Sequence, residues 1–257
     1  MTLPNWLRAA ALTVTLAASH AAETNHFEAG KSTVTEAHRS HAEAAYQAAR
    51  TAATQSNSIN HLWELGRAAF DYADTVTREK TKAQIAETGI AACRTAIGLD
   101  PASAPAHYYL ALCLGELAQT KTLGALRLVR EIKDEFDRVR VLDNTLDHAG
   151  ADRGLGLLYL EAPGWPTSIG DRKLARSHLE NAVALAPNYP DNRLSLAELY
   201  LRTKDTRASA TELVALTQLW PLAKSQFAGP EWTQAWLDWD NRLHLLEARL
   251  QKLTGKK

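Results

Sequence analysis

Cysteine, methionine and phenylalanine are scarce in this chain of 257 residues, which carries two, one and four of them. Two cysteines cannot build the multi-bridge framework of a small secreted fold, and with no CxxC pair or histidine at ligand spacing they do not resemble a zinc site. Net charge is missing as well. Lys+Arg and Asp+Glu both number 29, and the pI is about 7.1. That removes the electrostatic footprint of a general nucleic-acid or anionic-membrane binder. Long apolar runs are absent too. The best candidate, Ala9 to Ala18, is about ten residues, where a bilayer span needs about twenty. β-Branched and aromatic residues are sparse beside Ala and Leu, and strict apolar/polar alternation is hard to find, which argues against a sheet. No HExxH and no GxSxG elbow occurs, so the common hydrolase signatures are missing.

What the chain does have is a repeat. Leu99-Asp100-Pro101 returns as Leu142-Asp143-Asn144, as Leu185-Ala186-Pro187 and as Leu219-Trp220-Pro221, in steps of 43, 43 and 34 residues. Twelve, eight and five residues ahead of each landmark stands a small-or-apolar triplet. The triplets are Gly89/Cys93/Ala96, Ile132/Phe136/Val139, Ala175/Leu179/Ala182 and Ser209/Leu213/Leu216. A period of this length, with an apolar face at helical spacing, predicts an all-α solenoid of antiparallel helix pairs. Pro or Asn after each second helix is expected to stop it and turn the chain into the next unit.

The first helix of each unit has its own signature. Unit 1 reads Leu62-Trp63-Glu64-Leu65-Gly66, and unit 2 reads Tyr108-Tyr109-Leu110-Ala111-Leu112. Unit 3 reads Leu155-Gly156-Leu157-Leu158-Tyr159, and unit 4 reads Leu196-Ala197-Glu198-Leu199-Tyr200. A small residue at a helix crossing lets backbones approach, and the aromatic one turn later fills the space beside it. Unit 4 has nine residues between its aromatic and small slots. The other units have 20, 17 and 16. In unit 3 the surplus is the loop Glu161 to Asp171, with two Pro and two Gly. In units 1 and 2 it is expected to be helix extension, around Thr75 to Lys82 and Leu123 to Arg130.

These spacings resemble the tetratricopeptide repeat (TPR), with its Leu-Gly-x2-Tyr, Ala-x3-Phe and Pro slots. The extended repeats, the phrase Ala162-Pro163-Gly164-Trp165-Pro166 leading to Ser168-Ile169-Gly170-Asp171, and Ala186-Pro187-Asn188-Tyr189-Pro190-Asp191-Asn192 look like two related groups. One is the periplasmic T-component proteins associated with tripartite (TRAP-type) transporters. The other is the repeat domain of the regulator of microtubule dynamics family. The resemblance covers about residues 34 to 221 and rests mainly on 161 to 192. It implies a binding scaffold that assembles through its repeats. The T-component proteins are described as lipoproteins, and no Cys follows the apolar run here.

The flanks complete the expected organisation. Arg8, the short apolar run and Ser19-His20-Ala21 have the pattern of a secretory signal cleaved after Ala21, which predicts an extracytoplasmic, periplasmic protein. Residues 22–57 read as a linker and a half repeat, in which Tyr46, Arg50 and Ala53 fall on the triplet register one step upstream. Residues 58–221 hold the four repeats, and 222–257 hold a capping helix. From Trp236 that helix spaces Trp239, Leu243, Leu246, Leu250 and Leu253 as a heptad seam, which either seals the last repeat or pairs with another copy. Cys93 and Cys113 fall on core positions of adjacent helices, either as two buried apolar residues or as a disulfide.

Chemistry is thin. His38 and His41 stand at i, i+3 and read as solvated face residues, and the glycines from Gly150 to Gly156 follow a helix and not the strand a nucleotide loop requires. No catalytic residue, metal or cofactor is expected. The better candidates are the residues that first helices would turn to a concave groove: Trp63, Arg67 and Phe70, then Tyr109 and Glu116, then Arg153 (with Leu157), then Glu198 and Arg202. Aromatics and arginines there suit a protein or peptide partner, a transporter subunit among the candidates. Trp165, between Gly164 and Pro166, is expected to pack on a neighbouring helix in an ordered loop. The expected function is an exported, non-enzymatic scaffold. The alternative is a periplasmic solute-binding accessory protein with a cavity or pore for a small apolar ligand.

Overall fold

The computed structural model describes residues 35–121 and 124–255. The expected leader and most of the N-terminal linker lie outside the described residues, as does Leu123. Among the described residues there are ten α-helices and no strand, and 83% of those residues are helical. The helices are α1 (Glu36–Gln55), α2 (Ile59–Thr75), α3 (Glu79–Leu99), α4 (Ala104–Gln119), α5 (Ala125–Leu142), α6 (Leu146–Glu161), α7 (Arg172–Leu185), α8 (Pro190–Arg202), α9 (Thr206–Gln226) and α10 (Thr233–Thr254). A single 3-10 turn, Pro230–Trp232, precedes α10.

Local chemistry sets many of the boundaries. Thr35, Ser58, Asp171 and Asp205 each accept a backbone N–H in the first turn of α1, α2, α7 and α9. Pro190 opens α8, where its fixed φ fits and its missing N–H costs nothing. The pairs α2/α3, α4/α5, α6/α7 and α8/α9 are the four repeats. Consecutive first helices also touch, and α10 lies against α8 and α9. All twelve triplet residues are buried. Close crossings explain the small slots. A Cβ on Gly66 would run into Cys93 Sγ. One on Gly89 would lie 2.6 Å from Cys113 Sγ and 2.8 Å from Ala69 Cβ. The two cysteines are therefore filling groups at neighbouring crossings. Both are buried free thiols, and the disulfide alternative is not formed.

Part of the surplus length is helix, Glu79 to Lys82 in unit 1 and Ala125 to Arg130 in unit 2, while Val76 to Arg78 join α2 and α3 and the described residues 120, 121 and 124 lie between α4 and α5. Three expectations are corrected. Arg50 is exposed over the Tyr46 ring, and the buried stripe of α1 is Ala42 and Tyr46, with Ala49 and Ala53 at its edge. Arginine is displaced because the terminal helix has only one neighbour to hide it against. Pro221 does not stop α9, which continues to Gln226. An interior proline costs about 3 kcal/mol. Burial of Ala223 and Phe227, and the edge-on contact of Trp220 with Trp236 at 5.3 Å, offset that cost. Trp165 does not pack on a helix; it is 89% exposed. Its loop closes without it, through Gly170 N–H to Pro163 O (2.8 Å) and Asp171 N–H to Tyr159 O (3.0 Å). Ile169, not Trp165, reaches the core.

The core divides in two. One cluster runs from Tyr46 through units 1 to 3 to Tyr200. A smaller one joins α8, α9 and α10 around Tyr189, Phe227 and Trp239. Trp239, Leu243 and Leu246 of the heptad seam are buried in the latter, so α10 covers the end of the array.

Candidate functional site

The sequence-selected groove residues separate into two kinds. Trp63 is half-buried. Its indole stacks on the Tyr109 ring at 5.9 Å and 8°, and its Nε1 donates to Asn60 Oδ1 at 3.2 Å. Arg67 is exposed one turn on, 3.7 Å from the Asp71 carboxylate. Arg202 is half-buried and paired with Glu161. The other five, Phe70, Tyr109, Glu116, Arg153 and Glu198, are buried in the fold and line no open groove. Phe70 and Tyr109 are core. Glu116 accepts from Lys82 Nζ at 2.6 Å, and burial pushes its carboxyl up to about 8, with Asp74 adding to the rise and Lys82 opposing it. What remains accessible at the start of the array is Trp63 backed by Tyr109, with Arg67 beside it.

Arg153 and Glu198 belong to a buried polar assembly between units 3 and 4. Asp147, His148 and Ala149 have φ of 50°, 55° and 63°, three successive non-glycine residues in the left-handed region before α6 winds normally. Such a turn costs roughly 1–2 kcal/mol per residue, so the surroundings must hold it. Arg153, 1% exposed, does so. Its Nη1 donates to the carbonyls of Asp147 and His148, both at 3.2 Å, and its Nη2 to Asp147 Oδ2 at 2.8 Å. Asn192 Nδ2 donates to His148 O at 3.0 Å, while Asn192 Oδ1 accepts from Arg153 Nη1 at 2.9 Å. Tyr108 Oη donates to Asp147 Oδ2 at 2.6 Å.

Behind this turn sits the guanidinium of Arg242 from α10. It donates to Glu198 Oε1 and Oε2 at 2.7 and 2.9 Å and to Ser195 Oγ at 3.1 Å, pairs with Asp191, and lies 3.6 Å from Asp238. Burial opposes its charge, yet Glu198, Asp191 and Asp238 hold its pKa well above the ordinary value. Sequence reasoning missed Asp147, Asp191, Asn192 and Arg242. One signal was available: Arg242 sits three residues after Trp239 and directly before Leu243, inside an otherwise apolar seam.

The left-handed turn delivers the His148 ring into an aromatic group. It stacks on Tyr189 at 4.3 Å and 17° and stands at 87° to Phe227, with Trp232 6.3 Å away. Burial lowers the His148 pKa, which keeps the imidazole neutral at neutral pH. A cleft of about 490 Å³ opens there, lined by His148, Tyr189, Phe227, Gln226 and the turn Leu185 to Asn188. A second cleft, about 400 Å³, lies on Asp137, Arg140, Asn144, Asp152 and Asn181. Burial works against the Asp152 carboxylate, but hydrogen bonds from His178 (2.8 Å) and Asn181 (2.7 Å) and the charge of Arg140 outweigh it, and its pKa falls. The Gly150 to Gly156 segment is helix. Its glycines face Tyr108, Phe136 and Leu179.

Comparison with known proteins agrees on the architecture. A family model described as regulator of microtubule dynamics protein 1-3 matches residues 21–144. That span lies upstream of residues 161–192, on which the sequence resemblance mainly rests. The crystal structure of TTC0263, a thermophilic TPR protein in Thermus thermophilus, superposes with a TM-score of 0.59 over 81% of this chain and 92% of that one, at 16% identity. That likeness shows the fold: a TPR-like helical-repeat array. No curated protein matches the chain.

Proposed function

We propose that this chain is a non-enzymatic repeat scaffold that binds a protein or peptide partner, with Trp63 and Arg67 as its contact residues in unit 1. The carrying observation is the Trp63–Tyr109 stack with Arg67 exposed alongside. A half-buried indole on a rigid aromatic base loses little side-chain entropy on binding, and Trp and Arg are the residues that most often dominate binding energy. The TPR-like fold supports the scaffold reading, because such arrays present extended surfaces. The finer reading, an extracytoplasmic component of a transport system, rests on the N-terminal signal pattern and on the T-component resemblance. N-terminal sequencing of the native protein tests the export half. A mature chain starting at Ala22 supports it, and an intact Met1 in a cytosolic fraction refutes it. For the surface, a pull-down compares wild type with a Trp63→Ala, Arg67→Ala variant. Loss of a specific partner is expected. Identical partner profiles would remove this surface from the proposal.

A further inference from the structure

The neutral total charge hides an imbalance along one edge of the array, and that edge does not rest on the Trp63 surface. We propose that the edge formed by the turns inside the four repeats docks on an anionic lipid bilayer, with Trp165 as its interfacial anchor.

Topology is the first argument. Consecutive first helices run in the same direction. Between α2 and α4, Trp63 meets Tyr109 and Cys113 Sγ reaches Gly66 O. Between α4 and α6, Tyr108 meets Asp147, both near the helix starts. Between α6 and α8, Arg153 meets Asn192 and Glu161 meets Arg202. The ends of these four helices therefore share one edge, as do the turns that follow them. The turns between repeats lie on the other edge.

Charge is the second. Each inner turn, taken with the first turn of the helix after it, presents two exposed cations. Arg78, Lys121 and Lys204 stand in the turns themselves. Lys80, Arg127, Arg172, Lys173 and Arg207 stand in the helical first turns. Among the described residues, only Lys121 of these forms an ion pair, with Glu87 at 3.8 Å. Three carboxylates share the stretch, Glu79, Asp171 and Asp205, and they do not balance it. The turns between repeats hold no Lys or Arg, and their charged residues are Asp100 and Asp143. A helix dipole disfavours cations in the first turn, so five of the cations do not serve the fold. The same dipole favours a phosphate beside them.

Exposed apolar groups are the third, and they select the occupant. Trp165 stands almost wholly in water in the unit 3 turn, and Leu126 and Leu174 are exposed in the first turns of α5 and α7. The backbone around the indole is a formed turn, with Thr167 and Ser168 N–H both donating to Gly164 O. A soluble polyanion gains little from a Trp and two Leu set among cations. The headgroup region of a bilayer takes them together, the rings and Leu at the acyl boundary and Lys and Arg at the phosphates.

The test uses the full chain and two kinds of vesicle, phosphatidylcholine alone and phosphatidylcholine with about 30% phosphatidylglycerol. Co-sedimentation reads affinity, and quenching of tryptophan emission by brominated acyl chains reads insertion. Binding to the anionic vesicles alone is expected, and it should weaken as salt rises from about 0.1 M to about 0.5 M. An Arg172→Gln, Lys173→Gln variant is expected to bind about thirtyfold more weakly, about fivefold for each charge near the surface. Arg138→Gln, which changes an exposed arginine near the far end of α5, should keep wild-type affinity. Trp165→Ala should remove the quenching and weaken binding. All these positions are exposed, so circular dichroism should be unchanged. Equal binding to both vesicles, no binding to either, unchanged affinity in the Arg172, Lys173 variant, an equal loss in Arg138→Gln, or quenching that persists without Trp165 overturns the proposal. So does acetyl-hexaglutamate-amide if it displaces the vesicles and binds the Trp165→Ala variant as it binds wild type, because the edge would then take an acidic protein segment.

Discussion

Units 1 and 2 are held together by removing atoms, and units 3 and 4 with the cap by burying charge. In the first region Gly66 and Gly89 bring backbones close enough for Cys93 and Cys113 to fill the crossings, and Lys82 and Glu116 meet there in a buried contact. In the second, Arg153 and Arg242 converge on Asp147, Asp191, Glu198 and Asp238. The first device is tolerant of any small apolar group at the right place. The second demands every partner at once, because a lone buried charge is costly while a complete set is merely neutral. An array built this way has a forgiving start and an exacting end.

The largest break in that contrast should come from Arg242→Met. It removes the buried cation shared by Glu198, Asp191 and Asp238, and a loss of about 3–5 kcal/mol is expected in urea unfolding followed by tryptophan emission. Because the cap carries Trp232, Trp236 and Trp239, its release should appear as a separate early transition. An unchanged midpoint would mean that the charges are not energetically linked. Next comes Gly66→Ala. Its methyl collides with Cys93 Sγ, an overpacking cost of about 1–3 kcal/mol. The Gly66→Ala, Cys93→Ala double variant should recover much of it. Additive losses in the double-variant cycle would show that the crossing is not what the glycine serves.

Glu116→Gln sharpens the comparison through pH. The folded-state pKa, about 8, lies above the ordinary carboxyl value of 4.5. The native state therefore holds the extra proton between those values, and wild-type stability falls as pH rises from about 4.5 to about 8. The glutamine variant lacks that slope, so a difference under about 1 kcal/mol near pH 4, where the carboxyl is protonated in folded and unfolded states alike, should shift in the variant's favour as pH rises toward about 8, read as melting temperature. Parallel curves would place the carboxyl back in its ordinary range. The smallest effect is Gly98→Ala. A Cβ there meets nothing, and restored helix propensity should raise stability by about 0.5–1 kcal/mol. A loss there would mean that this region is tighter than its crossings imply.

The apolar register was legible because it is local. Helical spacing alone marks Ile132, Phe136 and Val139, whatever they pack against, and the same holds for the other triplets. The exceptions mark where distant partners decide. Pro221 reads as a stop, and only the docking of Trp236 and burial of Ala223 reverse that. Trp165 reads as packed on a helix because a large apolar side chain usually finds a wall. Its loop instead satisfies its own backbone and leaves the indole outside. Arg153 and Glu198 stand out in the sequence, but periodicity carries no information on whether a charge has a counter-charge tens of residues away, as these do in Asp191 and in Arg242. Trp63 stays partly accessible because its exposure depends mainly on its own turn of helix and on Tyr109 in the next unit.

The left-handed turn also writes a pattern of permitted change onto three consecutive codons. At Asp147, His148 and Ala149, valine, isoleucine and threonine should be purged, since a branched Cβ fits worst at positive φ. Asparagine and glycine should survive in a saturation library, while Leu155, Leu157 and Leu158 in the flanking helix show the opposite preference and reject glycine. A deep mutational scan would then draw the outline of this turn without any coordinates, as a short island of inverted tolerance inside an otherwise ordinary helical profile.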